Sequence, residues 1–376
     1  MTDTNRKPVG ARDRGTTKQV EAGRAQVVGT GLIGASIGLA LRSKGWFVTG
    51  SDTTPGCDAA ALERGALDAI GSDERADVVF VATPLGSVEG VVRSLLDRSP
   101  GSSDVVVTDV AGVKTPLTSA LEHPRYVGGH PMAGSEQLGV DGADGSLFVG
   151  ATWVLTPTEH TDPDAFALVR SIVTSLGADV VALSPTQHDS LVAVVSHVPH
   201  LTAAALMNLA ERTAEEHASL LRLAAGGFRD MTRVAAGHPG IWPDVCIENS
   251  GAIVSTLDAL LGALESLRDQ IDGRDRSGLL ETLGAAARAR RSLPIRAARP
   301  DGLAELRVPV SDRPGVLAEV TTLASDLGIN IYDLEIAHSA EGDRGILVLV
   351  VDAAEASAMH GALSARGFSS TAGQLE

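Results

Sequence analysis

Short apolar runs alternate with amphipathic stretches from Ala25 to about Leu183. The runs Gln26–Val28, Phe47–Gly50, Val78–Ala82, Val105–Thr108, Tyr126–Gly128, Thr152–Leu155 and Asp179–Ala182 are rich in β-branched residues and apolar at consecutive positions. That pattern predicts strands buried on both faces. Between them, Leu32–Ser43, Ser87–Asp97 and Asp164–Leu176 carry apolar residues at helical spacing. Strand–helix alternation of this kind predicts a doubly wound, mostly parallel sheet with helices on both faces over residues 25–183.

The strand signal then stops. Residues 184–293 are rich in Ala and Leu at helical spacing, notably Leu201–Arg212, Glu215–Ala225 and Ile253–Gln270. Their apolar positions are not confined to one stripe, so these helices need cover on several sides. An intertwined helical dimer would supply it; a monomeric helical cap is the alternative. A linker with Pro294 and Pro300 spans 294–302. Residues 303–376 restart as strand Ala304–Val310, helix Gly315–Leu327, strands Asn330–His338 and Gly345–Asp352, helix Ala354–Arg366 and a strand near Ser369–Gly373. The order βαββαβ is ferredoxin-like. Residues 1–24 are polar, aperiodic and read as a disordered tail.

A chain of 376 residues has room for two or three domains of roughly 100–200 residues each. Hydrophobic residues at 44% and charged residues at 21% exclude disorder throughout. The net charge of −16 argues against a nucleic-acid partner, which needs a basic face, but leaves room for an anionic substrate at a local arginine. No run of 18 apolar residues is free of breaks: the most apolar window, Leu191–Met207, is interrupted by Ser196, His197, Pro199 and His200. On that ground no membrane span is expected. The N-terminus has no apolar signal region, and Cys57 and Cys246 cannot form a disulfide framework, so a reducing cytoplasm is expected.

Gln26–Val28 runs into Gly29-Thr30-Gly31-Leu32-Ile33-Gly34 and then a helix. In this G-x-G-x-x-G pattern the first glycine permits a tight turn, the second lets the backbone approach a pyrophosphate, and the third allows close helix packing. The helix N-terminus then meets the phosphates with its partial positive charge. Asp52 stands at the end of the next strand, where an acid binds a ribose 2′-hydroxyl and repels a 2′-phosphate. The implied cofactor is NAD; a turn acid before Pro55 is the other reading of Asp52. Thr83 and Pro84, at another strand end, face the same crevice or serve as a helix N-cap and first-turn proline.

Polar clusters interrupt the apolar background downstream. Thr108-Asp109-Val110-Ala111-Gly112-Val113-Lys114 and Gly128-Gly129-His130-Pro131-Met132-Ala133-Gly134-Ser135-Glu136 each follow a strand. Gln187-His188-Asp189 and Ser196-His197-Val198-Pro199-His200 lie on helices, followed by Gly226-Gly227-Phe228-Arg229-Asp230-Met231-Thr232-Arg233 and Ile241-Trp242-Pro243. By residue chemistry alone His130 reads as a turn histidine, and Arg233 as one arginine on a solvated face. The H-x-x-H spacing of His197 and His200, with His188 or Asp189, would suit a metal only weakly, and none is expected. The lysines are Lys7, Lys18, Lys44 and Lys114 alone, so Lys114 stands out in an arginine-rich chain; its plainer role is a first-turn helix residue.

These motifs, in this order, resemble the prephenate and arogenate dehydrogenases of tyrosine biosynthesis. The resemblance covers Ala25 to about Ser292, and the C-terminal unit, with Asp312-Arg313-Pro314-Gly315-Val316-Leu317 after its first strand, resembles an ACT domain. The resemblance implies a Rossmann-type NAD domain, an all-α dimerisation domain, a regulatory ACT domain and a homodimer. It implies oxidative decarboxylation of prephenate, or of its amino analogue arogenate, with His130 as the proton acceptor. His197, His200, Arg233 and Trp242 would contact substrate, and Glu136 and Asp189 would influence access to the pocket. Asp109 and Lys114 would join Gly29, Gly31, Leu32, Ile33, Gly34, Asp52, Thr83 and Pro84 at the cofactor. Residues Asp312 to Leu317 and Asn330, taken to start the next strand, would hold an amino-acid effector, tyrosine first. The chain departs from the family where Gly112 replaces a frequent serine, which leaves open a non-catalytic amino-acid sensor. A β-hydroxyacid dehydrogenase would need a lysine in the helical region, which this chain lacks.

Overall fold

The structure is a computed structural model, and it describes residues 22–97, 105–134, 137, 139–216, 223–292, 302–311, 313–338 and 344–374. In chain order the elements are β1 Arg24–Val28, α1 Leu32–Ser43, β2 Phe47–Ser51, α2 Cys57–Glu63, β3 Ala69–Ile70, β4 Val78–Val81, α3 Leu85–Asp97, β5 Val106–Asp109, α4 Thr115–Ala120, β6 Tyr126–Pro131, β7 Thr152–Thr156, α5 Pro163–Ser175 and β8 Asp179–Ala182. Then come α6 Pro185–Val192, a π-helical turn Ala193–His197, α7 Val198–Glu216, α8 Gly226–Thr232, α9 Trp242–Glu248, α10 Ser250–Asp272 and α11 Arg276–Arg291. The C-terminal part holds β9 Leu303–Ser311, α12 Val316–Asp326, β10 Asp333–His338, β11 Arg344–Asp352, α13 Ala353–Ala365 and β12 Thr371–Gln374.

The chain divides into two compact units. One comprises residues up to His197 together with Gly237–Val254; the other comprises Val198–Ala236 and the chain from Ser255 onward. In the first, eight strands run in the order β3-β2-β1-β4-β5-β6-β7-β8. All neighbours are parallel except β6 and β7. The pleat divides each central strand between two cores: Val78 and Phe80 of β4 join Val27, Ile37, Trp153 and Ile172 on one face, while Val79 and Val81 pack with Val88, Val92 and Val107 on the other. Burial on both faces explains why these strands are continuously apolar.

Arg24, expected at the end of the tail, begins β1 instead. Its backbone N–H donates to Asp77 at 2.8 Å, its side chain to Asp73 at 2.7 Å, and its guanidinium lies 4.2 Å over the Phe47 ring. The rest of that tail to residue 21 and the 294–302 linker up to residue 301 lie outside the described residues, as does most of the expected Glu215–Ala225 helix.

Two helical runs, Pro185–Ala214 and Ser250–Asp272, are long and apolar enough to cross a membrane by length and composition. Length and composition alone do not make either a membrane span, since the core helix of a soluble protein passes the same test. On α10, Val254, Leu261, Leu264 and Ile271 are half exposed or more.

In the second unit, the C-terminal strands form an antiparallel sheet ordered β10-β11-β9-β12. Along β9, Leu306, Val308 and Val310 face the core and Arg307, Pro309 and Ser311 face out, the period of a sheet covered on one side. Asn330 lies in the loop before β10 rather than starting a strand, since pairing with β11 begins at Asp333.

Candidate active site

The glycine loop is shaped by contacts that only glycine tolerates. Gly29 has φ +91°, and a Cβ there would stand 2.5 Å from the Ala82 carbonyl oxygen; one on Gly34 would stand 1.9 Å from that of Gly29. At Gly31 a Cβ would meet nothing within 4 Å, so this backbone borders open space. Gly31 is the N-cap of α1 and brings no side-chain bond to it, leaving the first-turn N–H groups to a ligand. Asp52 closes this cradle. Its carboxylate accepts from the Thr30 N–H at 2.7 Å and the Thr54 N–H at 2.8 Å. Burial raises its pKa, but the bonds from Thr54 and Thr30 outweigh burial and hold it below the ordinary 3.8. The buried Thr83 hydroxyl has no hydrogen-bond partner within the described protein. A shaped glycine turn, a free helix end, an ionised acid and an unsatisfied hydroxyl together fit a dinucleotide.

A cavity of about 1000 Å³ opens from this cradle. Its walls include Gly29, Gly31, Leu32, Ile33, Asp52, Thr83 and Pro84 at one end and Gly112, His130, Ser196, His197, His238 and Trp242 at the other. All belong to the first unit. His130 lies within β6, paired with Val154 of β7, and not in a turn after the strand. Gly128 and Gly129 mislead there. A Cβ on Gly128 would stand 2.4 Å from the Thr156 hydroxyl and one on Gly129 2.7 Å from the Asp109 carbonyl oxygen. They permit close strand packing and do not end the strand.

The His130 ring is held from behind. Its Nδ1 lies 2.8 Å from His188 Nε2, and His188 Nδ1 lies 2.8 Å from Asp189 Oδ1. Asp189 also accepts from the backbone N–H groups of Lys114 and Thr115, each at 2.8 Å, and so caps α4 from a distant part of the chain. Burial raises the Asp189 pKa, but the bonds from His188, Thr115 and Lys114 outweigh it and hold the carboxyl below its ordinary range. Burial first, then the neighbouring His188, Lys114 and His197, hold His130 well below the ordinary imidazole value of 6.5, against the pull of Asp189. On the other side of the ring, a Cβ added at Gly112 would stand 3.7 Å from Nε2, so the backbone keeps that nitrogen's approach clear.

His197 is fixed differently. The Asn249 amide nitrogen donates to the Asp189 carbonyl oxygen at 2.9 Å and lies 3.2 Å from His197 Nδ1. An amide nitrogen only donates, so His197 Nδ1 accepts, and the neutral ring carries its proton on Nε2. Its ring meets Trp242 edge-on with centroids 6.2 Å apart. Burial lowers its pKa, as it does that of His200.

Asp109 and Lys114 do not reach the cavity. Both side chains are fully buried and form an ion pair with each other. Asp109 also accepts from the Tyr126 hydroxyl at 2.7 Å and the Ala111 N–H at 2.8 Å. The expected cofactor contact gives way to a structural one: β5 points Asp109 beneath β6, where Lys114 neutralises it. Burial lowers the Lys114 pKa against the pull of Asp109, and burial and the Asp109 charge raise that of Tyr126 well above its ordinary value. Asp189 likewise serves α4 and His188 rather than the cavity wall. His200, on α7, and Arg233, in the 3₁₀ turn after α8, belong to the second unit. Glu136 lies outside the described residues. Among the described residues no group of three His, Cys, Asp or Glu is placed to hold a metal.

In the C-terminal domain a cavity of about 160 Å³ is lined by Ser311, Arg313, Gly315, Val316, Leu317 and Ile336, among others. Gly315, with φ +91°, is the N-cap of α12. Arg313 makes two bonds to Glu319, at 2.9 and 2.8 Å. Pro314 and Asn330 are not among the lining residues, and Asp312 lies outside the described residues.

Residues 37–182 match the nucleotide-binding domain of prephenate dehydrogenase, and residues 184–285 its dimerization domain. Prephenate dehydrogenase of Bacillus subtilis is 32% identical over 335 residues, 85% of this chain and 90% of that protein. The chain belongs to the prephenate dehydrogenase family of NAD-dependent oxidoreductases. Residues 306–364 match an ACT domain like that of AHAS small subunits. Among solved structures, prephenate dehydrogenase from A. aeolicus in complex with hydroxyphenyl propionate and NAD+ is 30% identical with a TM-score of 0.68, covering 73% of this chain and 99% of its own. Synechocystis arogenate dehydrogenase is 33% identical with a TM-score of 0.62, covering 71% and 98%. Within this prephenate dehydrogenase family member, sequence reasoning missed Asn249 and any hold of His188 on His130. No spacing rule links residues 58 apart in the chain. The one local signal was the polar cluster Gln187-His188-Asp189, placed just before the apolar run Leu191–Val195.

Proposed function

We propose that the protein is an NAD-dependent prephenate dehydrogenase that oxidises and decarboxylates prephenate to 4-hydroxyphenylpyruvate, works as a homodimer and is regulated through its ACT domain. One observation carries the reading: a single cavity joins the dinucleotide cradle to a half-buried histidine whose outward nitrogen stands beside Gly112. The Gly29–Gly34 loop and the start of α1 would hold the pyrophosphate, Asp52 the adenosine ribose, and Thr83 and Pro84 the nicotinamide end. Bound NAD supplies a hydride acceptor.

The chain's own residues do the rest. His130 Nε2 takes the proton of the ring hydroxyl, a task suited to an imidazole that stays neutral at pH 7. His197, with its proton on Nε2, donates to an oxygen of the substrate, and Trp242 walls the ring. Departure of the ring carboxylate as carbon dioxide leaves its bonding pair to complete the aromatic ring. The resemblance makes His200 and Arg233 substrate-binding residues, and the guanidinium fork of Arg233 suits a carboxylate. The exposed apolar face of α10 and the match to a dimerization domain support the homodimer. In the ACT domain, the α12 N-terminus at Gly315 beside an apolar cavity suits the carboxylate and side chain of an amino acid, tyrosine first.

Arogenate is the second reading, supported by the similarity to the Synechocystis enzyme. The test is purified protein with NAD and either prephenate or arogenate, following reduced cofactor by absorbance, with and without tyrosine. Turnover of prephenate, slowed by tyrosine, is expected. Turnover of arogenate alone moves the assignment to the second reading, and turnover of neither sinks both.

A further inference from the structure

We infer that His188 and Asp189 are positioning residues that fix the tautomer of His130, so that its cavity-facing nitrogen is free of a proton and able to accept one. The inference rests on the reading of His130 as proton acceptor and assigns what makes it one. Asp189 is an ionised carboxylate engaged by two backbone N–H groups, and a carboxylate only accepts. The 2.8 Å contact to His188 Nδ1 therefore places a proton on that nitrogen. A neutral His188 then has its lone pair on Nε2, so the 2.8 Å contact to His130 requires a proton on His130 Nδ1. The lone pair of neutral His130 is left on Nε2, beside Gly112 and on the cavity wall.

The chain of bonds is directional because it is anchored at the carboxylate end. His188 is fully buried, and Asp189 is tied to the start of α4, so neither ring can turn without leaving buried polar atoms unpaired. When Nε2 takes the substrate proton, the substrate O–H bond breaks, an N–H bond forms, and the imidazolium keeps its Nδ1–H bond to His188. His197, another histidine of the cavity, is held in the opposite tautomer by Asn249. Two rings of the same type thus present an acceptor and a donor to one cavity.

Two measurements test this on the full-length protein with NAD bound. In nitrogen-15-labelled histidine spectra at neutral pH, His130, identified by its loss in His130→Asn, should carry its proton on Nδ1. Next, His188→Leu keeps bulk but removes the acceptor for His130, while His188→Gln restores an acceptor oxygen. His188→Leu should lower kcat about 100-fold or more, with the KM for substrate and the Kd for NAD within about threefold. His188→Gln should recover turnover to within about tenfold of the natural protein. A proton on Nε2 of His130, or full turnover by His188→Leu while His130→Asn is inactive, overturns the inference alone. Full turnover by His130→Asn instead removes the reading on which it rests.

Discussion

Two cavities among the described residues are built by opposite means. The larger one, in the first unit, is backed by buried polar side chains, each tied to another: the half-buried His130 to His188, His188 to Asp189, Asp109 to Lys114 and Tyr126. The smaller one, in the C-terminal domain, is walled by apolar side chains and a glycine turn, and its nearest charges, Arg313 and Glu319, are 51% and 45% exposed. In the first, chemistry is specified by groups that cannot be removed without stranding a partner. In the second, specificity comes from backbone shape, and its charged pair is screened by water.

This contrast predicts unequal responses to mutation. The largest should be at Lys114. Lys114→Met leaves the buried Asp109 carboxylate without its counter-charge, and removing one partner of a buried pair costs roughly 3–5 kcal/mol. Denaturant unfolding should report that loss; an unchanged midpoint would mean that the pair is not structural. Next is Asp52→Ala, which removes the carboxylate proposed to bind the adenosine ribose. The natural protein should strongly prefer NAD over NADP and the variant should lose most of that preference, tested by kcat/KM for each cofactor. A natural protein that prefers NADP would place Asp52 outside the ribose site.

The pH profile is a milder test. On the proposed mechanism neutral His130 is the active form, and burial first, then His188, Lys114 and His197, hold its pKa well below 6.5. Activity should thus hold as pH falls through 6.5 and decline only at distinctly more acid values. A decline in kcat/KM centred at or above 6.5 would show a solvated ring. The smallest effect should be in the other cavity: Arg313→Ala removes an exposed pair of the kind that contributes little, and its unfolding midpoint should match the natural protein's. A large drop there would erase the contrast between the two cavities.

The fold was legible because buried parallel strands are continuously apolar and the C-terminal strands alternate. β3 escaped because two residues, Ala69 and Ile70, carry no period. The nucleotide cradle was legible because its glycines are local in sequence and each is demanded by one contact. The back of the active site was not. Asp109 and Lys114 stand next to the cofactor crevice in sequence, yet the pleat of β5 turns Asp109 away from it. Asn249 and His188 act across long stretches of chain, where only the folded register brings them to His197 and His130.

The central claim is that His130 in the first unit's cavity accepts the substrate proton. His130→Asn tests it most directly, with turnover and NAD affinity measured on the same preparation. Turnover should fall by about two to four orders of magnitude, the share of a positioned acid–base group, while NAD binds as before. Turnover within about threefold of the natural protein, at unchanged cofactor affinity, would contradict the account.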